Sequence, residues 1–286
     1  MKTILITGAT SGIGLEAAQQ LGAQGHHLVL IGRDPGKLAD SRQLVQNAGA
    51  PEVDTLVCDF GSQTSVRKLA AAIQSDYDRI DVLANNAGGY SKERVETEDG
   101  IESTFAVNHL GGFLLTELLL EFLVQGAPAR VVFTSSVMHY SATMDFDDPT
   151  FRRNYSGERA YNRSKLANVL YTRALAQRLS GTALTVNSFH PGAVATHIWD
   201  SMPWYGKPLA AIAKQLFMIS PAAGARTLTH LAVAPEVAQL SGHYFQHNRI
   251  KTPSRRALDD ETAQRLCEIS AELVGLPDSW RVDTSL

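Results

Sequence analysis

The sequence predicts an α/β fold, a doubly wound parallel sheet flanked by helices, in a single domain spanning residues 1–286. Three observations predict it. Short apolar, β-branched runs alternate with stretches of helical apolar spacing along the chain. The first run passes through a glycine-rich turn straight into a helical pattern. No Gly/Ser-rich linker, repeat or low-complexity tract divides the 286 residues.

In chain order, the run at 3–7 (TILIT) ends in GATSGIG, and Leu15, Ala18 and Leu21 form the helical face that follows. Strand, glycine turn and helix are the context in which main-chain N–H groups cradle a dinucleotide pyrophosphate. Gly8 permits the tight turn, and Gly12 and Gly14 let the helix N-terminus approach without a Cβ in the way. The second strand, 27–31, is followed by Gly32 in the slot where an acidic ribose reader is expected, and then by Arg33. A carboxylate there would repel a 2′-phosphate, whereas a guanidinium matches it. The expected cofactor is therefore NADP(H) rather than NAD(H), although Asp34 beside Arg33 argues the other way.

A helix over 35–47 leads to a third strand, 53–58, which ends in Asp59. That carboxylate suits either an adenine amine or a helix N-cap. A helix at 63–73 and a strand at 80–84 follow, ending in Asn85-Asn86-Ala87-Gly88, where an open α/β sheet places its ligands. One long helix is expected over 100–123. It carries Asn108 among Phe105, Val107, Leu110 and Phe113, and a buried amide requires partners. The strand at 130–134 ends in Ser135-Ser136, and 137–159 reads as a polar, aromatic loop. Its Asp145, Asp147 and Asp148 lack the histidine or turn spacing of a metal site, and no metal is expected.

Residues 156–179 form the longest helical pattern, with Leu166, Val169, Leu170 and Leu175 on its apolar stripe. Tyr161 and Lys165, four residues apart, fall on one face a turn apart. A free phenol titrates near about 10, and a nearby ammonium favours its anion, which makes Tyr161 a candidate acid/base. The strand at 184–189 precedes His190-Pro191-Gly192. Residues 193–218 are irregular and carry Trp199, Met202, Trp204, Tyr205, Phe217 and Met218, an expected substrate-binding lid or pocket wall. A helix at 221–233, a short strand at 243–246 and a helix at 261–274 close the chain.

Composition narrows the classes. A net charge of −3 with no polybasic block excludes nucleic acid or an anionic membrane as the main partner. Cys58 and Cys267 suggest no disulfide framework but two small buried residues in a reducing compartment. The opening MKTILITG leaves no space for a leader, and no apolar run reaches a membrane-spanning length, so a cytoplasmic protein is expected.

Together Thr7-Gly8-x-x-x-Gly12-x-Gly14, Asn85-Asn86-Ala87-Gly88, Asn108, Ser136, Tyr161-x-x-x-Lys165 and Pro191-Gly192 resemble, in order and spacing, the short-chain dehydrogenase/reductase family over nearly the whole chain. NHLGGF at 108–113, DFDDP at 145–149, AYNRSKLANVLYT at 160–172 and SFHPGAVAT at 188–196 are similar to its retinol-dehydrogenase-like subgroup. The resemblance implies a Rossmann fold and a catalytic set of Asn108, Ser136, Tyr161 and Lys165. Tyr161 would move the proton, Lys165 would lower its pKa and hold the nicotinamide ribose, and Ser136 would orient the substrate oxygen. Asn108 would hold a relay water. Cofactor contacts are implied at Gly8, Thr10, Ser11, Gly12, Ile13, Gly14, Arg33, Asp59, Phe60, Asn86, Ala87, Gly88, Tyr161, Lys165, Pro191, Gly192, Val194 and Thr196. Substrate contacts are expected from Ser136, Tyr161, Trp199 and Met202.

Ser11 stands where many NADP-dependent members carry a basic residue, which leaves Arg33 to read the 2′-phosphate; Gly112 replaces a bulkier polar residue of relatives. The membrane-anchored members carry an N-terminal apolar segment that is absent here, which weakens the case for a membrane-resident retinoid. The leading expectation is an NADP(H)-dependent carbonyl reductase or alcohol dehydrogenase acting on an apolar aldehyde, ketone or alcohol, with retinoid- or lipid-like molecules among the candidates. Reduction of an activated C=C bond, or a non-catalytic nicotinamide-binding redox sensor, is the alternative. Relatives often pair through the helices carrying Asn108 and Tyr161, so a homodimer or homotetramer is expected.

Overall fold

The run TILIT forms β1 (Thr3–Thr7), from which the sheet extends in both directions. The computed structural model describes residues 1–192 and 220–277. After β1 come α1 (Gly12–Gly22), β2 (His27–Gly32), α2 (Pro35–Asn47), β3 (Glu52–Val57), α3 (Gln63–Asp76) and β4 (Val82–Asn85). Then follow α4 (Ser103–Phe105), a π turn (Ala106–Leu110), α5 (Gly111–Leu118), α6 (Leu120–Gln125) and β5 (Ala129–Thr134). A 3-10 turn (Val137–Ser141), α7 (Gly157–Arg178) and β6 (Leu184–His190) follow. The described chain ends with α8 (Pro221–Val233), β7 (Tyr244–Gln246), β8 (Arg249–Ile250) and α9 (Asp260–Leu273), with short 3-10 turns before β7 and α9.

The sheet runs β3-β2-β1-β4-β5-β6-β7-β8, parallel throughout except for the antiparallel β7–β8 pair. Both faces are covered, which is why the strands read as continuous apolar runs. On one face Leu5, Leu83, Val131, Phe133 and Val186 pack beneath α3, α5 and α7. On the other, Ile4, Ile6, Val82, Ala84 and Val132 pack beneath α1 and α8. The crossover reverses direction between β1 and β4, the switch point at which doubly wound sheets open a ligand crevice. Cys58 and Cys267 are buried free thiols. No helix among the described residues is long and apolar enough to cross a membrane.

Three expectations need correction. The helix over 100–123 is not continuous. It starts at Ser103, capped by the Glu102 carboxylate accepting from Thr104 and Phe105 N–H (2.8 Å each), widens into the π turn and breaks at Leu119. An extra residue in one turn leaves the apolar spacing almost intact, so the pattern alone did not reveal it. The 137–159 segment is not all loop, because Ser136 Oγ caps the 3-10 turn after it. Finally, β8 is added as a two-residue antiparallel edge, too short for an alternating signal.

The α7 helix is marked at both ends. The Ser156 hydroxyl accepts from Arg159 N–H, Glu158 lies in the first turn and Arg178 in the last, all favourable to the helix dipole. Gly157 is required sterically, since a Cβ there would sit 2.2 Å from the Ser91 carbonyl oxygen. The opposite end is fixed by Glu117 of α5, whose carboxylate accepts from Arg178 (2.6 and 2.8 Å) and from the Tyr171 hydroxyl (2.6 Å).

Candidate active site

The carboxyl ends of β1 to β6 gather the expected site residues along one edge of the sheet. Gly8 follows β1 with a φ of +66° and lies against β4, since a Cβ would meet the Ala87 Cα at 2.8 Å. Gly14 sits against the turn itself, where a Cβ would lie 2.3 Å from the Gly8 carbonyl oxygen. Gly12, with a φ of +54°, faces open space, and Ser11 and Gly12 are exposed while Thr10 and Ile13 are half-buried. No side chain caps α1 and its first turn carries no acid, whereas α2, α3 and α7 are each capped. A helix start with undirected N–H groups behind an open glycine fits a dinucleotide phosphate.

Ala9 N–H donates to the Ile31 carbonyl (3.2 Å), which holds the turn against the end of β2, where Arg33 is exposed. Asp34 is occupied as the N-cap of α2, accepting from Gly36 and Lys37 N–H (2.9 and 3.1 Å). Asp59 is exposed after β3 and does not cap α3; Ser62 does, while Asp59 Oδ1 accepts from Gly61 N–H (2.8 Å). The Phe60 ring is buried against Gly111, which leaves only its main chain for a cofactor contact.

The Asn86 side chain works as a brace. Its Nδ2 donates to the Thr7 carbonyl (3.0 Å) and its Oδ1 accepts from the Thr134 hydroxyl (3.2 Å), joining β1, β4 and β5. The Thr7 hydroxyl accepts from both Asn86 and Ala87 N–H (2.8 Å each). A threonine within a strand carries no distinctive signal in the sequence, so this role of Thr7 emerges only from the structure. Gly88 is crowded: a Cβ would lie 3.2 Å from Asn108 Oδ1 and 3.4 Å from Lys165 Nζ. Pro191 and Gly192 are half-buried after β6, while Val194, Thr196, Trp199 and Met202, with the whole 193–218 segment, lie outside the described residues.

At the chemical end, Ser136 Oγ accepts from Met138 N–H (3.2 Å), leaving its own hydrogen to donate elsewhere. His139 fixes the turn beneath it. Its Nδ1 donates to the Ser136 carbonyl (2.6 Å) and its Nε2 accepts from Ser254 N–H (3.0 Å), an unambiguous tautomer because amide and carbonyl have fixed roles. The sequence offered only the spacing of three residues after Ser136. Tyr161 and Lys165 share one face of α7, with Nζ 5.5 Å from the ring centroid. Tyr90 packs edge-on against Tyr161 at 6.3 Å.

The expected direction of the Tyr161 shift is reversed in the protein alone. Burial raises the phenol above its ordinary value, and a hydrogen bond with Ser136 opposes it only in part. Burial also lowers Lys165 to about 8, and its Nζ donates to the Thr134 carbonyl (3.2 Å). A desolvated ammonium directed at a carbonyl does little for a phenol whose own burial dominates. Asn108 is held at three points: it accepts from Gly89 N–H (2.7 Å) and donates to the Gly89 carbonyl (2.9 Å) and Ser164 Oγ (3.0 Å).

The acids at 145–148 are committed elsewhere. Asp148 accepts from Arg152 and Arg153 N–H, and Asp145 pairs with Arg163 at 3.9 Å. Among the described residues His27, Glu52 and Asp54 do converge within ligand reach, at the amino ends of β2 and β3, remote from this edge.

Two buried histidines set an acid limit on stability. Burial lowers His109 to about 4, and burial followed by the neighbouring His247 and His139 lowers His190 to about 4. In the unfolded chain both titrate near about 6.5. Their folded values are depressed, so their contribution is intact above about 6.5 and declines as pH falls toward 4. The expected slope is up to about 1.4 kcal/mol per pH unit for each histidine. Urea denaturation at pH 7.5, 6 and 5 should show it; a flat profile would contradict neutral burial of both rings.

Comparison with known proteins agrees with this geometry. The family model described as short chain dehydrogenase matches residues 2–203. The chain is 40% identical to human retinol dehydrogenase 13 over 281 residues, 96% of this chain and 85% of that protein. It is 40% identical to a Streptomyces sp. (strain C5) protein with the provisional name daunorubicin C-13 ketoreductase, over 96% of this chain and 93% of the other. A crystal structure of an actinorhodin polyketide ketoreductase variant with NADPH superimposes with a TM-score of 0.67 at 25% identity, covering 85% of this chain and 94% of that one.

Proposed function

The chain belongs to the short-chain dehydrogenase family, and on that premise we propose that it is an NADP(H)-dependent oxidoreductase interconverting a carbonyl and an alcohol on an apolar small molecule. The observation that carries this reading is the gathering of Ser136, Tyr161 and Lys165 at the carboxyl edge of the sheet beside an open glycine turn. The glycine turn, Arg33 and the Asn86–Gly88 main chain would hold the dinucleotide, and Lys165 the nicotinamide ribose. When bound, the nicotinamide supplies or accepts the hydride.

The side chains manage the substrate oxygen. Ser136, which hydrogen-bonds Tyr161 in the protein alone, would turn its hydrogen to that oxygen and orient it. The Tyr161 phenol delivers the proton as negative charge develops. Reduction is the proposed direction, because NADPH is the proposed cofactor and cells keep that pool reduced. Aromatic and aliphatic carbonyls are the proposed substrates, in keeping with the retinol dehydrogenase and ketoreductase names of the relatives. We place the protein in the cytoplasm. Any self-association would use a face other than the part of α7 that α9 covers.

NADPH oxidation against apolar aldehydes and ketones, with product analysis, tests the activity; binding without turnover of any carbonyl would overturn it. Cofactor choice has its own test. Replacing Arg33 with alanine should weaken NADPH binding about 10- to 100-fold, the loss expected for a charged hydrogen bond, and leave NADH binding unchanged. Equal loss for both dinucleotides would remove Arg33 as the discriminator.

A further inference from the structure

A string of buried polar groups runs from the last helix to Lys165. Asn168, one turn beyond Lys165 on α7, is fully buried. Its Nδ2 donates to the Asn108 carbonyl (2.9 Å) and to the Thr134 carbonyl (3.1 Å). The Thr134 carbonyl is also the acceptor for Lys165 Nζ (3.2 Å). Asn168 Oδ1 meets His109 Nδ1 at 3.1 Å, and His109 Nε2 meets Ser270 Oγ at 3.0 Å.

The chemistry fixes every proton in this string. Two carbonyls can only accept, so they take both hydrogens of the Asn168 amide and turn its oxygen toward His109. His109 must then carry its proton on Nδ1, and Nε2 must accept from the Ser270 hydroxyl. The opposite amide orientation would set oxygen against oxygen at both carbonyls. Burial keeps His109 neutral, as this arrangement requires.

We propose that Asn168, held in orientation by His109 and Ser270, is a positioning residue that fixes the Lys165 ammonium and the Asn108 turn for catalysis. This inference rests on the proposed roles of Lys165 and Asn108. Asn168 sets the direction of the carbonyl that receives the ammonium. It also holds the main chain of Asn108, whose side chain in turn grips Gly89 and Ser164. The π turn makes this possible, because Asn108 and His109 are successive residues yet both reach α7.

Two substitutions at His109 separate positioning from mere packing. His109→Asn places an amide nitrogen near the Nδ1 position and keeps the bond to Asn168. His109→Gln places one near Nε2 and keeps only the Ser270 side. The full-length proteins are compared for kcat, KM, the pH profile of kcat, NADPH affinity and melting temperature. The asparagine variant should hold kcat within about threefold and keep the wild-type pH profile. The glutamine variant should lose about 10- to 100-fold in kcat, the scale expected for a misplaced reacting group, with a displaced pH profile and similar melting temperature. Equal kcat and pH profiles for the two variants would overturn the proposal.

If either variant fails to fold, Asn168→Ala replaces the pair. It should lower kcat by a similar factor and displace the pH profile, whereas an unchanged profile would overturn the proposal. Wild-type protein and Tyr161→Phe are assayed alongside. Active wild type and inactive Tyr161→Phe with indistinguishable His109 variants defeats the positioning role alone. Wild type without carbonyl turnover defeats the underlying functional reading.

Discussion

Replacing Tyr161 with phenylalanine should lower carbonyl turnover by about 10²- to 10⁴-fold, the range supplied by a positioned general acid. NADPH affinity should stay within a fewfold of wild type. The two outcomes separate because the phenol hydroxyl and the dinucleotide turn stand on different elements. Phenylalanine keeps the edge-on packing against Tyr90 and the position of α7, so the fold has no reason to respond. It removes one oxygen, the partner of Ser136. Steady-state turnover and fluorescence titration of NADPH, run on the same preparation, give the answer. Turnover within tenfold of wild type would transfer the acid role to another group and undo the proposed chemistry.

Gly14→Ala should act at the other end of the site and affect both folding and binding. Its Cβ would stand 2.3 Å from the Gly8 carbonyl oxygen and 2.7 Å from Asn86 Nδ2. The first neighbour is main chain and cannot swing aside. The second braces β1 against β5 through Thr7 and Thr134. Relief requires α1 to move away from β1, at a cost of about 1–3 kcal/mol for overpacking. That displacement also spoils the helix start that faces the phosphates, so NADPH binding should fall well below detection at concentrations saturating the wild type. Gly12→Ala is the matched control for space, since nothing lies within 4 Å of its Cβ, although its φ of +54° still strains an alanine. Denaturant titration combined with NADPH binding tests both; wild-type stability in Gly14→Ala would contradict the tight turn.

The parts of the molecule legible in the sequence are those in which one residue type has one physical reason. TILIT followed by glycines declares strand and turn together, and the capped, 22-residue α7 declares itself through Ser156 and its apolar stripe. Features that depend on partners distant in the chain were not legible. Asn108 announced a need for hydrogen bonds but not that Gly89 and Ser164 would meet it. Asp59 suits an adenine amine or a helix N-cap equally well in the sequence, and only the structure gives the cap to Ser62, nearer the helix start. The direction of the Tyr161 shift followed from burial, which spacing along one helix does not report. Asn168 sat in plain view in AYNRSKLANVLYT, but its meaning required α9 and the π turn to be brought against α7.

The bond between His109 and Ser270 closes a loop of 161 residues. A chain emerging from the ribosome presents the glycine turn first, then the strands, then Tyr161, and the Ser270 hydroxyl only near the end. Long-range closures of this kind also come late in refolding, because their loop entropy must be overcome before the contact repays it. The glycine-turn helix depends on closures at least as long, since Gln20 of α1 donates to the Ala222 carbonyl and accepts from Thr229 across 202 and 209 residues, so the dinucleotide cradle and the seat of Lys165 should form together, late, as one cooperative step. A nascent molecule still lacking α8 and α9 would have neither a braced phosphate helix nor the seat of Lys165.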